Sequence, residues 1–123
     1  MKIEVSNGEI VDKLTILQIK LERIKDPAKL QNVRKEYDEL EGIVDKILGR
    51  EDPLYKALYE INGKLWDIED RIRELEKAKD FGQEFIDVAR SVYINNDQRA
   101  AIKRDINSKT GSELFEEKSY EDY

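Results

Sequence analysis

Residues 53–77 read PLYKALYEINGKLWDIEDRIRELEK. Leu54, Leu58, Ile61, Leu65, Ile68, Ile72 and Leu75 follow one another at steps of four and three. That spacing sets apolar side chains along a single line of an α-helix about 36 Å long. Beside this line run Tyr55, Tyr59, Asn62 and Trp66, again at steps of four, three and four. A helix with an apolar line and an aromatic flank has more to bury than one neighbour can cover. The stretch is therefore expected to be the hub of a helical bundle.

The punctuation on either side agrees. Asp52-Pro53 and Asp26-Pro27 repeat one device, in which Asp caps a helix start and Pro takes the first helical position, where its missing N–H costs nothing. A second helix is predicted over Pro27 to Leu48, with Leu30, Val33, Tyr37, Leu40, Val44 and Ile47 as its core line and Gly49 ending it. Upstream, Ser6-Asn7-Gly8-Glu9 has the form of a capping box, flanked by Val5 and Ile10 at the positions of a hydrophobic staple. The first helix should run from Asn7 to about Ile24 on the line Ile10, Leu14, Leu17, Leu21 and Ile24, with Ile16 and Ile19 off that line. Short connections at 25–26 and 49–52 make these three helices antiparallel neighbours in sequence.

Downstream, Asp80 with Gln83 is expected to cap a fourth helix over 81–93, using Phe81, Phe85, Val88, Ala89 and Val92. Asn95-Asn96 marks a break, and a shorter helix follows at about 97–108. From Gly111 the chain becomes an acidic tail, GSELFEEKSYEDY. The fold class is all-α: an antiparallel bundle of three long helices plus one or two shorter C-terminal ones, a single domain over 1–110 with a tail over 111–123. Gly63, inside the hub helix, either allows a close helix–helix approach or is simply tolerated at about 1 kcal/mol relative to Ala.

Composition narrows the chemistry. The chain has neither cysteine nor histidine, which removes disulfides, thiolate nucleophiles, imidazole bases and Ser-His-Asp catalysis. A net charge of −6 opposes nucleic acid and anionic lipid as partners for the molecule as a whole. No stretch has the length of a membrane span, and the start MKIEVSNGEI lacks a signal-peptide layout. A cytoplasmic chain is expected.

Three clusters are candidates for function. Glu36-x-x-Glu39 with Asp67-x-x-Asp70 resembles the carboxylate layout of all-α nucleoside triphosphate pyrophosphohydrolases, with Asp67 in place of a Glu; in those enzymes the carboxylates hold Mg²⁺. Against that stand the ordinary helix-surface pairs open to Asp67 and Asp70 through Arg71 and Arg73. Arg90, Arg99 and Lys103 form a basic stretch that could grip a phosphate or carboxylate. The competing reading has the acidic tail fold back onto the same face. Tyr55, Tyr59 and Trp66, with Ile16 and Ile19, suit a subunit interface.

The segments SNGEIVDKLTILQIKLERI, LYEINGKLWDIEDRI, ARSVYINNDQRAAIKRDIN and EEKSY resemble a family of small bacterial proteins of uncharacterised function. The resemblance implies a compact helical protein, a link to cell-surface polysaccharide synthesis, and no activity, cofactor or catalytic residue. The expected function is that of a non-enzymatic binding or scaffold protein without a cofactor, self-associating as a homo-oligomer (a dimer in the simplest case) and open to a protein partner. The alternative is an Mg²⁺-dependent hydrolase of a nucleotide or related phosphorylated substrate.

Overall fold

The computed structural model describes residues 1–123 and contains four helices and no strand. They are α1 (Asn7–Arg23), α2 (Pro27–Ile47), α3 (Pro53–Lys77) and α4 (Gln83–Thr110). No helix is long and apolar enough to cross a membrane. The Asp-Pro starts act as anticipated: Asp26 accepts from the N–H groups of Ala28 and Lys29, and Asp52 accepts from that of Leu54.

The hub is α1, not α3. Helix α1 packs against each of the other three, whereas α2 packs chiefly on α1, and α3 divides itself between α1 and α4. The reason lies in two lines of residues on α1. Leu14 and Leu17 belong to the apolar line read from the sequence and are buried, together with Val11. A second line, Gly8, Asp12, Thr15 and Ile19, repeats at steps of four, three and four, and all four of its members are buried.

Gly8 permits that second contact. A Cβ at this position would strike the backbone carbonyl of Lys103 on α4. Where the two helices touch, Gly8 donates its N–H to Asn107 Oδ1 (2.6 Å), Asn7 donates to Ser112 Oγ (3.1 Å), and Glu9 donates to Ser6 Oγ (3.2 Å). The free N–H groups of the first turn of α1 are thereby satisfied, two of them by side chains about a hundred residues away. Glu9 does not close the capping box on Ser6; its carboxylate accepts from Lys103 Nζ instead (2.7 Å).

Helix α4 runs unbroken through Asn95-Asn96, where a break was expected, and it starts at Gln83 behind an N-cap at Gly82. Asn95 turns its amide back onto the Ser91 carbonyl (2.7 Å), so the side chain is satisfied without ending the helix. Packing against α3 and α1 outweighs the modest helix penalty of two asparagines. Asp80 does not cap directly but accepts from the Gly82 N–H in the turn (3.2 Å). Helix α4 ends at Gly111, whose left-handed backbone (φ 67°) suits glycine.

The core cluster joins Val11, Leu14 and Leu17 of α1, Tyr37 and Val44 of α2, Leu48, then Tyr55, Leu58 and Ile61 of α3 and Ile106 of α4. Beyond it, the second half of α3 and the first half of α4 pair with each other as an arm. The tail after Gly111 has no regular structure and returns along α4.

Candidate functional site

Asp12 is the centre of the interior polar set. It is 1 % exposed and accepts from Arg99 through both carboxylate oxygens, Nε to Oδ1 at 2.9 Å and Nη2 to Oδ2. Asn62 Nδ2 donates to the same Asp12 Oδ1 (2.8 Å) and to Thr15 Oγ1 (2.8 Å), and Thr15 in turn donates to the Asp12 carbonyl (2.7 Å). Three helices thus converge on one carboxylate. The bidentate bond to Asp12 raises the Arg99 pKa further above its ordinary value, so the guanidinium stays charged.

Two members of this set, Asn62 and Arg99, line a groove of about 520 Å³, within the size range of small-molecule sites. Ile16 and Ile19 of α1 form one wall, and Leu65 and Trp66 of α3 the other. Asn96 and Arg99 of α4, with Glu69, Asp70 and Arg73 of α3, add polar and charged side chains to its lining. A buried ion pair contributes little net stability compared with apolar side chains of the same volume. The Asp12–Arg99–Asn62 set therefore acts mainly by fixing these side chains in place.

Lys103 lies one turn beyond Arg99 and is 6 % exposed, held between Glu9 (2.7 Å) and Glu116 of the tail (3.2 Å). Burial works against its ammonium form, but the hydrogen bond it donates to Glu9 and the surrounding carboxylates outweigh it, and its pKa is raised. Arg104 pairs with Glu117 (2.9 Å) and lies over the Phe115 ring. Tyr123 packs on Tyr93 with ring centroids 5.1 Å apart. The acidic tail thus covers the basic face of α4, the competing reading of that stretch.

The candidates read from the sequence are distributed as follows. Of Arg90, Arg99 and Lys103, the last two share the interior set, both already paired with carboxylates; Arg90 is exposed and bonds Tyr93 (3.4 Å). The carboxylates Glu36, Glu39, Asp67 and Asp70 are not brought together. Glu36 on α2 pairs with Lys13 (3.0 Å), Asp67 on α3 pairs with Arg23, and no group of three or more Asp or Glu is placed to hold a metal ion. Among the proposed interface residues, Ile19 and Tyr55 are buried within the chain, so neither is free to meet a partner. Tyr55 donates to Gln18 (2.8 Å), and burial pushes its phenol up to about 12. Tyr59 donates to Glu22, and Ile16 and Trp66 line the groove.

Asp12 and Thr15 were not candidates, because a search for apolar periodicity passes over them. The signal was nevertheless present as Gly8-x-x-x-Asp12-x-x-Thr15-x-x-x-Ile19, a second helical line in which the members share a face and not a polarity.

No curated protein and no solved structure matches the chain. A family profile does match it over residues 1–123, so the resemblance to an uncharacterised family is correct, and the chain belongs to the family of unknown function DUF6165.

Proposed function

We propose that the chain is a non-enzymatic helical binding and scaffold protein that self-associates, in the simplest case as a two-fold dimer, through the α3–α4 arm. The supporting observation is the distribution of burial. Of 19 buried residues, Leu75 alone lies between Gly63 and Ile102. Two paired helices cannot cover each other's apolar faces completely, and Phe81 and Ile86 remain exposed near the tip of the arm.

Surface area supports the same reading. The chain exposes 8595 Å², whereas a compact monomer of 14.5 kDa exposes about 6,900 Å². The difference is shared by the extended tail, by α2, which packs chiefly on α1, and by the arm. A standard interface takes about 800 Å² from each partner. Two arms laid together would surround one apolar centre with four helices, extending the chain's own packing into an antiparallel bundle. The proposal includes a cytoplasmic setting and a protein partner linked to surface-polysaccharide synthesis, which rest on the sequence reading and the resemblance alone.

Sedimentation velocity at tens of micromolar tests the association. The wild type is expected to run as a dimer, and Phe81→Glu with Ile86→Glu as a monomer of unchanged helicity. A wild type that is strictly monomeric under those conditions would overturn the proposal.

A further inference from the structure

We propose that the groove bounded by α1, α3 and α4 is a binding site for an uncharged ligand. The ligand carries a group that both donates and accepts hydrogen bonds (a hydroxyl or a primary amide) next to an apolar ring.

The inference rests on atoms left over after the interior set is complete. The orientation of the Asn62 amide is fixed by its partners, because Asp12 Oδ1 can only accept and Thr15 Oγ1 already donates elsewhere. Asn62 Oδ1 therefore points away from both. The side chain belongs to a residue only 6 % exposed, yet this oxygen has no partner in the protein and is not sealed from solvent. Asn62 itself lines the groove. Arg99 uses Nε and Nη2 on Asp12 and leaves Nη1 unpartnered; the residue lines this groove and also a smaller one beside Glu9, Lys13 and Glu36. Asn62 Nδ2 and Arg99 Nε bond one oxygen, Asp12 Oδ1, at 2.8 and 2.9 Å, so the two side chains meet at one carboxylate.

A hydroxyl or a primary amide both donates and accepts, so either can serve the Asn62 acceptor and the Arg99 donor. A carboxylate or phosphate supplies no donor for Asn62, and an ammonium supplies no acceptor for Arg99. Net charge favours the same class. Asp12 offsets Arg99, Glu69 offsets Arg73, and Asp70 has no ion-pair partner, so the groove carries about one net negative charge. An anion would be repelled. The apolar half of the ligand has Ile16, Leu65 and the half-buried Trp66 to lie against.

Trp66 is the only tryptophan, so its indole N–H gives one assignable NMR signal inside the groove. The test titrates the full chain with four matched probes: benzamide, benzyl alcohol, benzoate and benzylammonium. Benzamide or benzyl alcohol is expected to move that signal saturably in the millimolar range, binding at least about tenfold more tightly than either charged probe. Whichever of the two binds better distinguishes an amide from a hydroxyl as the natural group. Asn62→Leu removes the acceptor and should weaken binding more than about tenfold. If that variant fails to fold, Ile16→Phe decides the matter, because it fills the groove without touching the polar set and should abolish the shift. Benzoate or benzylammonium binding as well as the neutral probes, an undiminished shift in Ile16→Phe, or no saturable shift with any probe would overturn the proposal.

Discussion

The end of the molecule where α1 meets its neighbours and the arm formed by α3 and α4 are built from similar amphipathic helices, with opposite results. At the α1 end, Leu14, Leu58 and Ile106 are completely buried, and so are polar side chains such as Asp12, Thr15 and Asn107. Along the arm, Ile68, Ile72, Val88 and Val92 are only half-buried, although their spacing is as regular as that of the buried residues. The number of neighbouring helices, not the quality of the apolar line, decides burial. A third helix closes the α1 end and lets polar groups be fixed there by mutual hydrogen bonds. With two helices, the arm keeps an apolar surface open. The proposed ligand groove lies where the first region meets the arm, and the proposed interface farther out along the arm.

The largest expected effect compares one residue from each region. Leu14→Ala leaves a cavity with no solvent access and should cost about 3–5 kcal/mol. Ile72→Ala, half-buried between two helices, should cost about 1–2 kcal/mol, since less of the side chain leaves water on folding. Urea unfolding of both variants at a concentration where the chain is monomeric measures the difference. Equal losses would mean that the arm is packed as tightly as the core, and the contrast between the regions would not hold.

Two glycines sharpen the comparison on a smaller scale. Gly8→Ala pushes a methyl group into the Lys103 carbonyl and against Asn107 Oδ1. It should cost about 1–3 kcal/mol, the usual penalty of overpacking. Gly63, where the arm begins, has only the flexible Arg23 guanidinium nearby, at 3.7 Å. Gly63→Ala should therefore stabilise by up to about 1 kcal/mol through helix propensity. Thermal melts would give shifts of opposite sign. A loss in Gly63→Ala would mean that this glycine permits a close approach after all, the reading that the observed spacing does not support.

Much of this fold was readable in the sequence where local chemistry decides it. Asp52-Pro53 and an unbroken four-three spacing set both ends of α3 to the residue, and Ser6 set the start of α1. The errors came where distant contacts decide. Asn95-Asn96 has the composition of a break, but packing on α3 and α1 carries the helix through it. Asp12 looks like a surface charge until Arg99, 87 residues later, is brought against it. Pairing of that kind cannot be read from period or propensity. The Gly8 line does record it weakly, as a run of small and polar residues at helical spacing beside an apolar one. Arg99 was read as a cation for free anions, whereas in the structure its Nε and Nη2 are taken by Asp12.

The smallest expected effect concerns the tail, whose Glu116 is held at the α1 end by Lys103. Burial raises the Glu116 pKa, but the hydrogen bond and charge of Lys103 lower it more, so it lies below the ordinary glutamate value of 4.5. A carboxylate with a lowered folded pKa stabilises at pH above its unfolded value and loses that contribution as pH falls through the folded one. Lys103 has the opposite sign: its raised pKa stabilises below the ordinary 10.5 and is lost only as pH rises through the higher folded value. Docking of the tail should therefore be constant from about pH 5 to 10 and weaken below pH 4.5. Glu116 is 40 % exposed, so the contribution is below about 1 kcal/mol after solvent screening. Amide signals of Ser112 to Lys118, followed from pH 7 to pH 3, should shift together on this scale in the wild type and stay nearly flat in Glu116→Gln. If both forms respond alike, some other carboxylate holds the tail, and the Lys103 contact is incidental to its course along α4.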